Sequence, residues 1–149
     1  MRRVVAPPPL IYAAAFIPGW FMDRAVEMPE IPLPSRMVLG ALFILPGVLI
    51  AVAAMCAFRR AKTTVNPYGE SSAIISDGIF RYTRNPLYLT LALFYVGLAI
   101  ALDAPLALML LPVALWVMQW GVITREERYL EGKFGAEYLQ YKARVRRWW

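Results

Sequence analysis

The sequence predicts an all-α, polytopic membrane protein with about four transmembrane helices and a C-terminal amphipathic helix. Hydrophobic residues make up 60% of the chain and charged residues only 17%, whereas a soluble domain usually carries more charge. The apolar residues are collected into runs long enough to cross a bilayer. The basic residues flank these runs, and 149 residues are enough for one domain.

Four apolar runs define the predicted spans. The first is the weakest because its core, Leu10 to Met22, is short and contains Pro18-Gly19; we interpret it as a retained span, since no signal-peptide cleavage site is evident. The second should be kinked at Pro46-Gly47. The spans cover about residues 5–22, 37–58, 86–102 and 106–123, with a loop at 59–85 and a tail at 124–149.

The distribution of lysine and arginine predicts the orientation. Four spans place the N-terminus, the loop at 59–85 and the tail on one side, and these segments hold fourteen of the sixteen basic residues. Basic residues are enriched on the cytoplasmic side of membrane proteins. We therefore expect a multi-pass protein of the inner, cytoplasmic membrane with both termini in the cytoplasm.

The tail has one apolar helical face. Its apolar residues recur every three, four or seven positions, which is the spacing of an amphipathic helix. We expect Gly132 and Gly135 to break this helix, and the apolar stripe to lie on the membrane interface or on the domain itself. Trp148 and Trp149 suit an interfacial aromatic belt. The stripe comprises Ile123, Leu130, Phe134, Tyr138, Tyr141 and Val145.

Composition excludes several kinds of site. The chain has no histidine and a single cysteine, Cys56, so histidine-ligated metal sites, a histidine base and an intrachain disulfide are impossible; we expect no metal. The net charge of +6 is explained by basic residues that orient spans and touch anionic lipid. We expect the bilayer as a partner and no nucleic acid, while the sequence leaves the oligomeric state open.

The start of the third span resembles an anion-binding helix terminus. Proline is favoured at the first helical position, which puts Pro86 there and Asn85 at the N-cap, where its side chain can accept a bond from a free N–H. Arg84 lies beside this positive helix end and Arg81 is near, while Tyr88 follows about one turn later. The alternative is a capped span with snorkelling arginines.

A second polar group lies at the end of the fourth span. Adjacent carboxylates leaving a membrane helix, Glu126 and Glu127, are costly unless they are paired or used. Gln119 is seven residues before Glu126, and Trp120 seven before Glu127, so each pair should share a helix face. The alternative is a surface network of glutamates with arginines.

The two groups complement S-adenosyl-L-methionine in a general way. Positive donors suit its carboxylate, and carboxylates suit its ribose hydroxyls or its cationic groups. Aromatic faces can also hold a cation. This match alone is suggestive and does not identify a reaction.

Three motifs carry a resemblance to a known family. Residues 78–88, GIFRYTRNPLY, resemble the G-x-x-R-x-x-R-[HN]-P-x-Y signature of isoprenylcysteine carboxyl methyltransferases, which are grouped with membrane phospholipid methyltransferases. Glu126-Glu127 resembles that family's paired glutamates, and residues 134–141 resemble its F-G-x-x-Y-x-x-Y tail. Order and spacing agree from about Thr63 to the C-terminus. The first two spans add only topology.

The resemblance implies an S-adenosylmethionine-dependent methyltransferase whose cofactor lies at the cytoplasmic ends of the last two spans. Its acceptor would be hydrophobic or lipid-like, with a carboxylate, thiol or amine as nucleophile. Asn85 stands where many members have histidine, so proton transfer there is in doubt although hydrogen bonding survives. The expected catalytic residues are Glu127 and Arg84, and the expected cofactor-binding residues are Arg84, Asn85, Pro86, Tyr88, Gln119, Glu126 and Glu127.

The nature of the nucleophile decides whether a base is required. A carboxylate or thiolate acceptor needs none, whereas an amine would need Glu127 or Glu126. Two other functions stay open: a non-enzymatic lipid-binding membrane scaffold, and an NADPH-dependent membrane reductase of the sterol-reductase type. Cofactor binding discriminates among the three.

Overall fold

The computed structural model of the protein describes residues 5–26, 31–63 and 73–148, and this part of the chain is helical with no β-strand. A 3-10 turn at Gly78–Arg81 precedes α3, and a π-helical segment at Gln119–Ile123 joins α5 to α6. The α-helices are α1 (Pro8–Ala25), α2 (Leu33–Arg60), α3 (Pro86–Ala101), α4 (Pro105–Met109), α5 (Leu111–Met118), α6 (Thr124–Phe134) and α7 (Ala136–Arg144).

Prolines begin the helices and do not end them. Proline occupies one of the first two positions of α1 to α5, where a missing N–H costs nothing. The sequence led us to expect that Pro18-Gly19 interrupts the first span. This expectation is wrong, because α1 continues through Pro18. Helix α2 also continues through Pro46, and the kink expected at Pro46-Gly47 stays a prediction. Packing of these helices against their neighbours outweighs the local preference of proline.

Two helical stretches among the described residues are long and apolar enough to cross a membrane. They are Leu33–Arg60, with 28 residues, and Pro105–Phe134, with 30 residues that run from α4 through α6. Pro86–Ala101 is apolar but shorter, and α1 ends in the charged pair Asp23 and Arg24. The structure therefore supports a membrane protein, and four complete spans remain a proposal.

Helices α2 and α3 pack closely through glycines. A side-chain carbon added at Gly40 would lie 2.7 Å from the carbonyl oxygen of Gly97, and one added at Gly97 would lie 2.5 Å from Ile44. The hydroxyl of Thr90 donates to the carbonyl oxygen of Gly47 at 3.2 Å. These contacts fix the position of α3, whose first residues carry the sequence motif.

One end of the helix bundle is held by two aspartates. Asp23, at the end of α1, accepts hydrogen bonds from the backbone N–H groups of Leu106 (2.9 Å) and Ala107 (3.2 Å) at the start of α4. Asp103 pairs with Arg36 at 3.1 Å. Asp23 and Arg36 therefore lie at the same end of the bundle as the connection 102–105, and the motif segments meet at the other end.

The π-helical segment changes the register of the last long helix. A π turn holds one more residue than an α turn, so a residue after it is rotated by roughly 100° relative to its place on a continuous α-helix. The hydroxyl of Thr124 donates to the carbonyl oxygen of Gln119 at 2.7 Å and satisfies that carbonyl within the wide turn. This register shift decides which tail residues face the site.

The tail folds back on the domain as two short helices. The break falls at Gly135, whose φ of +55° suits glycine, whereas Gly132 lies inside α6, so the predicted break at Gly132 is wrong. A helix needs only one left-handed residue to end. Tyr138, Tyr141 and Val145 are buried beside Leu130 and Phe134, which confirms the alternative in which the stripe packs on the domain. Trp149 lies outside the described residues.

Candidate functional site

A cavity of about 390 Å³ lies where the start of α3 meets α6 and α7. Its polar groups lie together on one part of the wall, and apolar side chains form the rest. Six of the seven residues expected to bind a cofactor line it. The polar lining comprises Arg84, Asn85, Tyr88, Glu126, Glu127, Tyr138 and Tyr141, with Pro86 between them, and Thr63 and Thr90 add two hydroxyls.

Glu127 is the central buried charge of this site. It is 5% exposed, so its carboxylate needs partners. Arg147 binds it through two nitrogens, with Nε at 2.9 Å and Nη2 at 2.6 Å. Nη2 of Arg84 lies 3.3 Å away and Nζ of Lys142 3.9 Å away. The alternative of glutamates paired with arginines is therefore met for Glu127 in its partners, but Glu127 and Arg84 are buried and only Arg147 and Lys142 reach the surface.

Arg84 keeps unused hydrogen-bonding capacity in the cavity wall. Its side chain is 9% exposed, and its Nε and Nη1 atoms are buried without a hydrogen-bond partner. A buried guanidinium donor without a partner is costly. An anionic group in the cavity would satisfy these donors. Arg81, the other arginine of the motif, is exposed and is not among the residues that line the cavity.

Tyr88 and Glu126 form a second polar pair. The Tyr88 hydroxyl donates to Oε2 of Glu126 at 2.7 Å. This contact joins the first turn of α3 to the first turn of α6. The two predicted constellations, which are 38 residues apart in the chain, therefore lie side by side at one end of the bundle.

The side chain of Asn85 does not cap α3 as expected. It makes no hydrogen bond to the helix N–H groups; its Nδ2 donates instead to the carbonyl oxygen of Arg147 at 2.9 Å. The hydroxyl of Thr83 donates to the same oxygen at 3.2 Å and accepts from the Asn85 N–H. The tail brings the carbonyl oxygen of Arg147 to this point, and the side chain of Asn85 is engaged as a donor to it.

Gln119 lies apart from the other predicted residues. It is not among the residues that line the cavity, and its Oε1 accepts a hydrogen bond from Nε1 of Trp148 at 3.0 Å. The shared face predicted for Trp120 and Glu127 is wrong, since Trp120 is 56% exposed and Glu127 is buried, whereas the one predicted for Gln119 and Glu126 stays a prediction. The π-helical segment lies between them and rotates one end of the helix relative to the other.

Two tyrosines of the tail, Tyr138 and Tyr141, also line the cavity, although they were not predicted as site residues. Tyr138 is 3% exposed, and burial, reinforced by the charge of Glu127, raises its pKa although Arg84 opposes this. Burial likewise raises the pKa of Tyr141, whose hydroxyl donates to the carbonyl oxygen of Phe80 at 2.8 Å. Both rings stay neutral at physiological pH. The Y-x-x-Y spacing of the tail motif was the signal that could have identified them.

The first two helices contribute more than topology. Pro8 and Pro9 of α1 and Phe58 of α2 line the cavity, and so do residues 73–75. The N–H of Val5 donates to the carbonyl oxygen of Gly121 at 3.2 Å and holds the start of α1 at this end. No sequence pattern pointed to these positions, because apolar lining residues resemble any other apolar residue of a span.

Comparison with known proteins agrees with this geometry. The profile of the phospholipid methyltransferase family matches residues 35–137, which contain most of the cavity wall. The chain belongs to this family. The matched residues include the start of α3, the paired glutamates and the first four residues of the tail motif, which continues to Tyr141.

Individual relatives carry a more specific name. The protein-S-isoprenylcysteine O-methyltransferase of Saccharomyces cerevisiae is 32% identical over 110 residues, which are 72% of this chain and 46% of the yeast protein. Protein-S-isoprenylcysteine O-methyltransferase A of Arabidopsis thaliana is 29% identical, over 71% of this chain and 55% of its own length. The Xenopus laevis protein of the same name is 27% identical, over 91% of this chain and 49% of its own length.

The chain spans about half the length of these curated relatives. An uncharacterized Haemophilus influenzae protein is 42% identical over 62 residues, which are 98% of that protein and 42% of this chain. No solved structure matches the chain.

Proposed function

We propose that the protein transfers a methyl group from S-adenosyl-L-methionine to a hydrophobic or lipid-like acceptor at the cytoplasmic membrane face. The observation that carries the proposal is the buried guanidinium of Arg84, which has two unpartnered nitrogens and lines a largely apolar cavity beside Glu126 and Glu127. Membership of the phospholipid methyltransferase family supports the reaction class. S-adenosylmethionine supplies an electrophilic methyl group on a sulfonium.

The polar wall fits this methyl donor. Arg84 can give a charge-assisted hydrogen bond to a carboxylate through Nε or Nη1, which have no hydrogen-bond partner in the protein. Glu126, held by Tyr88, offers acceptor oxygens for hydroxyl or ammonium groups. We propose that Asn85 and Pro86 complete the binding surface, and we assign Arg84 and Glu127 to catalysis as well as to donor binding.

The remaining wall fits a hydrophobic acceptor. Phe58, Ile75, Phe80, Leu91 and Leu130 also line the cavity, so an apolar group that binds against them would leave water. Water exclusion and alignment of the two reactants are the main contributions that a protein makes to such a displacement.

The surroundings of Glu127 favour an anionic acceptor atom. Two arginines and Lys142 lie around this carboxylate, so it is already engaged as an ion-pair partner. A carboxylate or thiolate nucleophile arrives without a proton to lose and needs no base. We therefore favour oxygen or sulfur over nitrogen as the acceptor atom.

The direct test is transfer of labelled methyl from S-adenosylmethionine into membrane lipid and small-molecule extracts by detergent-purified protein. We expect label in a hydrophobic product, and we expect S-adenosylhomocysteine to bind in calorimetry and to raise the melting temperature. No binding near cellular cofactor concentrations would favour the non-enzymatic scaffold. Stabilisation by NADPH alone would favour the reductase.

The proposed topology predicts which positions are accessible from outside the cell. With Cys56 replaced by serine, single cysteines are introduced at Val26 and Glu137, which are both exposed and lie toward opposite ends of the helix bundle. A membrane-impermeant thiol reagent should label Val26→Cys in intact cells and Glu137→Cys only after permeabilisation. Labelling of Glu137→Cys in intact cells would contradict the cytoplasmic placement of the site.

A further inference from the structure

The last described residues form a strap across the outer side of the site. This strap, residues 145–148, follows α7 and has extended backbone at Val145. Arg147 within it is not among the residues that line the cavity, so any effect it has on a bound molecule must pass through residues that do.

The backbone of the strap binds the segment that starts α3. The N–H of Arg84 donates to the carbonyl oxygen of Arg146 at 3.0 Å. The carbonyl oxygen of Arg147 accepts from Asn85 at 2.9 Å and from Thr83 at 3.2 Å. Three consecutive residues of the methyltransferase motif are thus held by two consecutive carbonyls of the strap.

The side chain of Arg147 binds the other half of the site. Its Nε and Nη2 approach the two oxygens of Glu127 at 2.9 and 2.6 Å. This two-point contact fixes the carboxylate plane, which a single-point ammonium would not do. The hydrogen bonds to Glu127 also raise the pKa of Arg147, so its guanidinium stays charged.

We propose that Arg147 is a positioning residue for the methyl-donor site. Its guanidinium orients Glu127 while its carbonyl orients Asn85, so one residue outside the cavity sets the relative placement of two groups inside it. This inference rests on the proposed function, because it concerns the geometry of the same cofactor site.

The adjacent Arg146 provides a matched control. Its side chain is exposed, its described role is the backbone bond to Arg84, and alanine at either position removes one positive charge. A general effect of charge on the tail would therefore appear in both variants. An effect of the contact with Glu127 would appear only at Arg147.

The experiment measures the dissociation constant of S-adenosylhomocysteine by calorimetry on full-length protein, together with the ligand-free melting temperature. We expect Arg147→Ala to weaken binding about tenfold or more and Arg146→Ala less than about twofold. Arg147→Lys keeps the charge but not the two-point contact, and should still weaken binding at least about threefold. In turnover, KM for the donor should rise more than kcat falls.

A double-variant cycle separates positioning from a purely structural role. If Arg147 acts through Glu127, Arg147→Ala should change affinity much less in the Glu127→Gln background than in the natural one. Additive effects, or natural affinity in Arg147→Lys, would overturn the inference while leaving the proposed function intact. Failure of the unmodified protein to bind S-adenosylhomocysteine would overturn both.

Discussion

Glu127→Gln is expected to weaken S-adenosylhomocysteine binding by about 10- to 100-fold, the range expected when a hydrogen bond to a charged group is lost. Glu127 is 5% exposed and holds Arg84 and Arg147 in place. The neutral amide keeps the shape but cannot balance two guanidinium groups, and its nitrogen would face another donor. Calorimetry on the purified protein measures the loss, and methyl transfer should fall at least as much.

Glu131→Gln is the matched control for this change. Glu131 lies one turn further along α6, and its side chain is 30% exposed and paired with Lys142. It is not among the residues that line the cavity, so removing its charge should change affinity less than about twofold. Equal losses in both variants would mean that Glu127 has no specific part in the site.

Gly19→Ala is expected to lower the free energy of unfolding by about 1–3 kcal/mol. A side-chain carbon at Gly19 would lie 2.5 Å from Cα and 2.8 Å from the backbone nitrogen of Ala107. Because both are backbone atoms, α1 and α4 would have to separate. The Asp23 bonds to Leu106 and Ala107 lie at the same contact and would lengthen. Thermal unfolding in detergent measures the change.

Gly132→Ala is expected to raise the free energy of unfolding. Gly132 lies inside α6, and an added carbon would meet no atom within 4 Å. Alanine in a helix interior is favoured over glycine by roughly 0.5–1 kcal/mol, so the melting temperature should rise slightly. If both alanine variants behaved alike, the close contact between α1 and α4 would not limit stability.

The sequence predicted the long helices and the polar residues of the site with good accuracy. The start of α3 at Pro86 was predicted because proline at the first helical position is a local property of the chain. Arg84, Tyr88, Glu126 and Glu127 were predicted as well, and all four line the cavity. Their residue types and spacing can be recognised in the sequence, because charged residues in or next to a membrane span are usually paired or functional.

Two predictions failed and one residue was missed, because each depended on contacts between distant segments or on a local change of helix type. The side chain of Asn85 binds the carbonyl of Arg147 because the tail returns to this point. Gln119 is the first residue of a π-helical segment, and its side chain accepts a hydrogen bond from Trp148. Arg147 is one of seven basic residues in the tail, and nothing in their spacing marks it as the partner of Glu127.

The sequence by itself determined that this protein is helical and membrane-embedded, and that its polar chemistry lies at the junctions of two late helices. Hydrophobic runs, capping residues and motif spacing are local, so a linear chain displays them directly. Only the tertiary structure decided that Pro8, Phe58 and the residue 73–75 segment complete the cavity. It also decided that a strap bearing Arg147 joins the two motif segments, because burial and ion pairing arise from the folded arrangement.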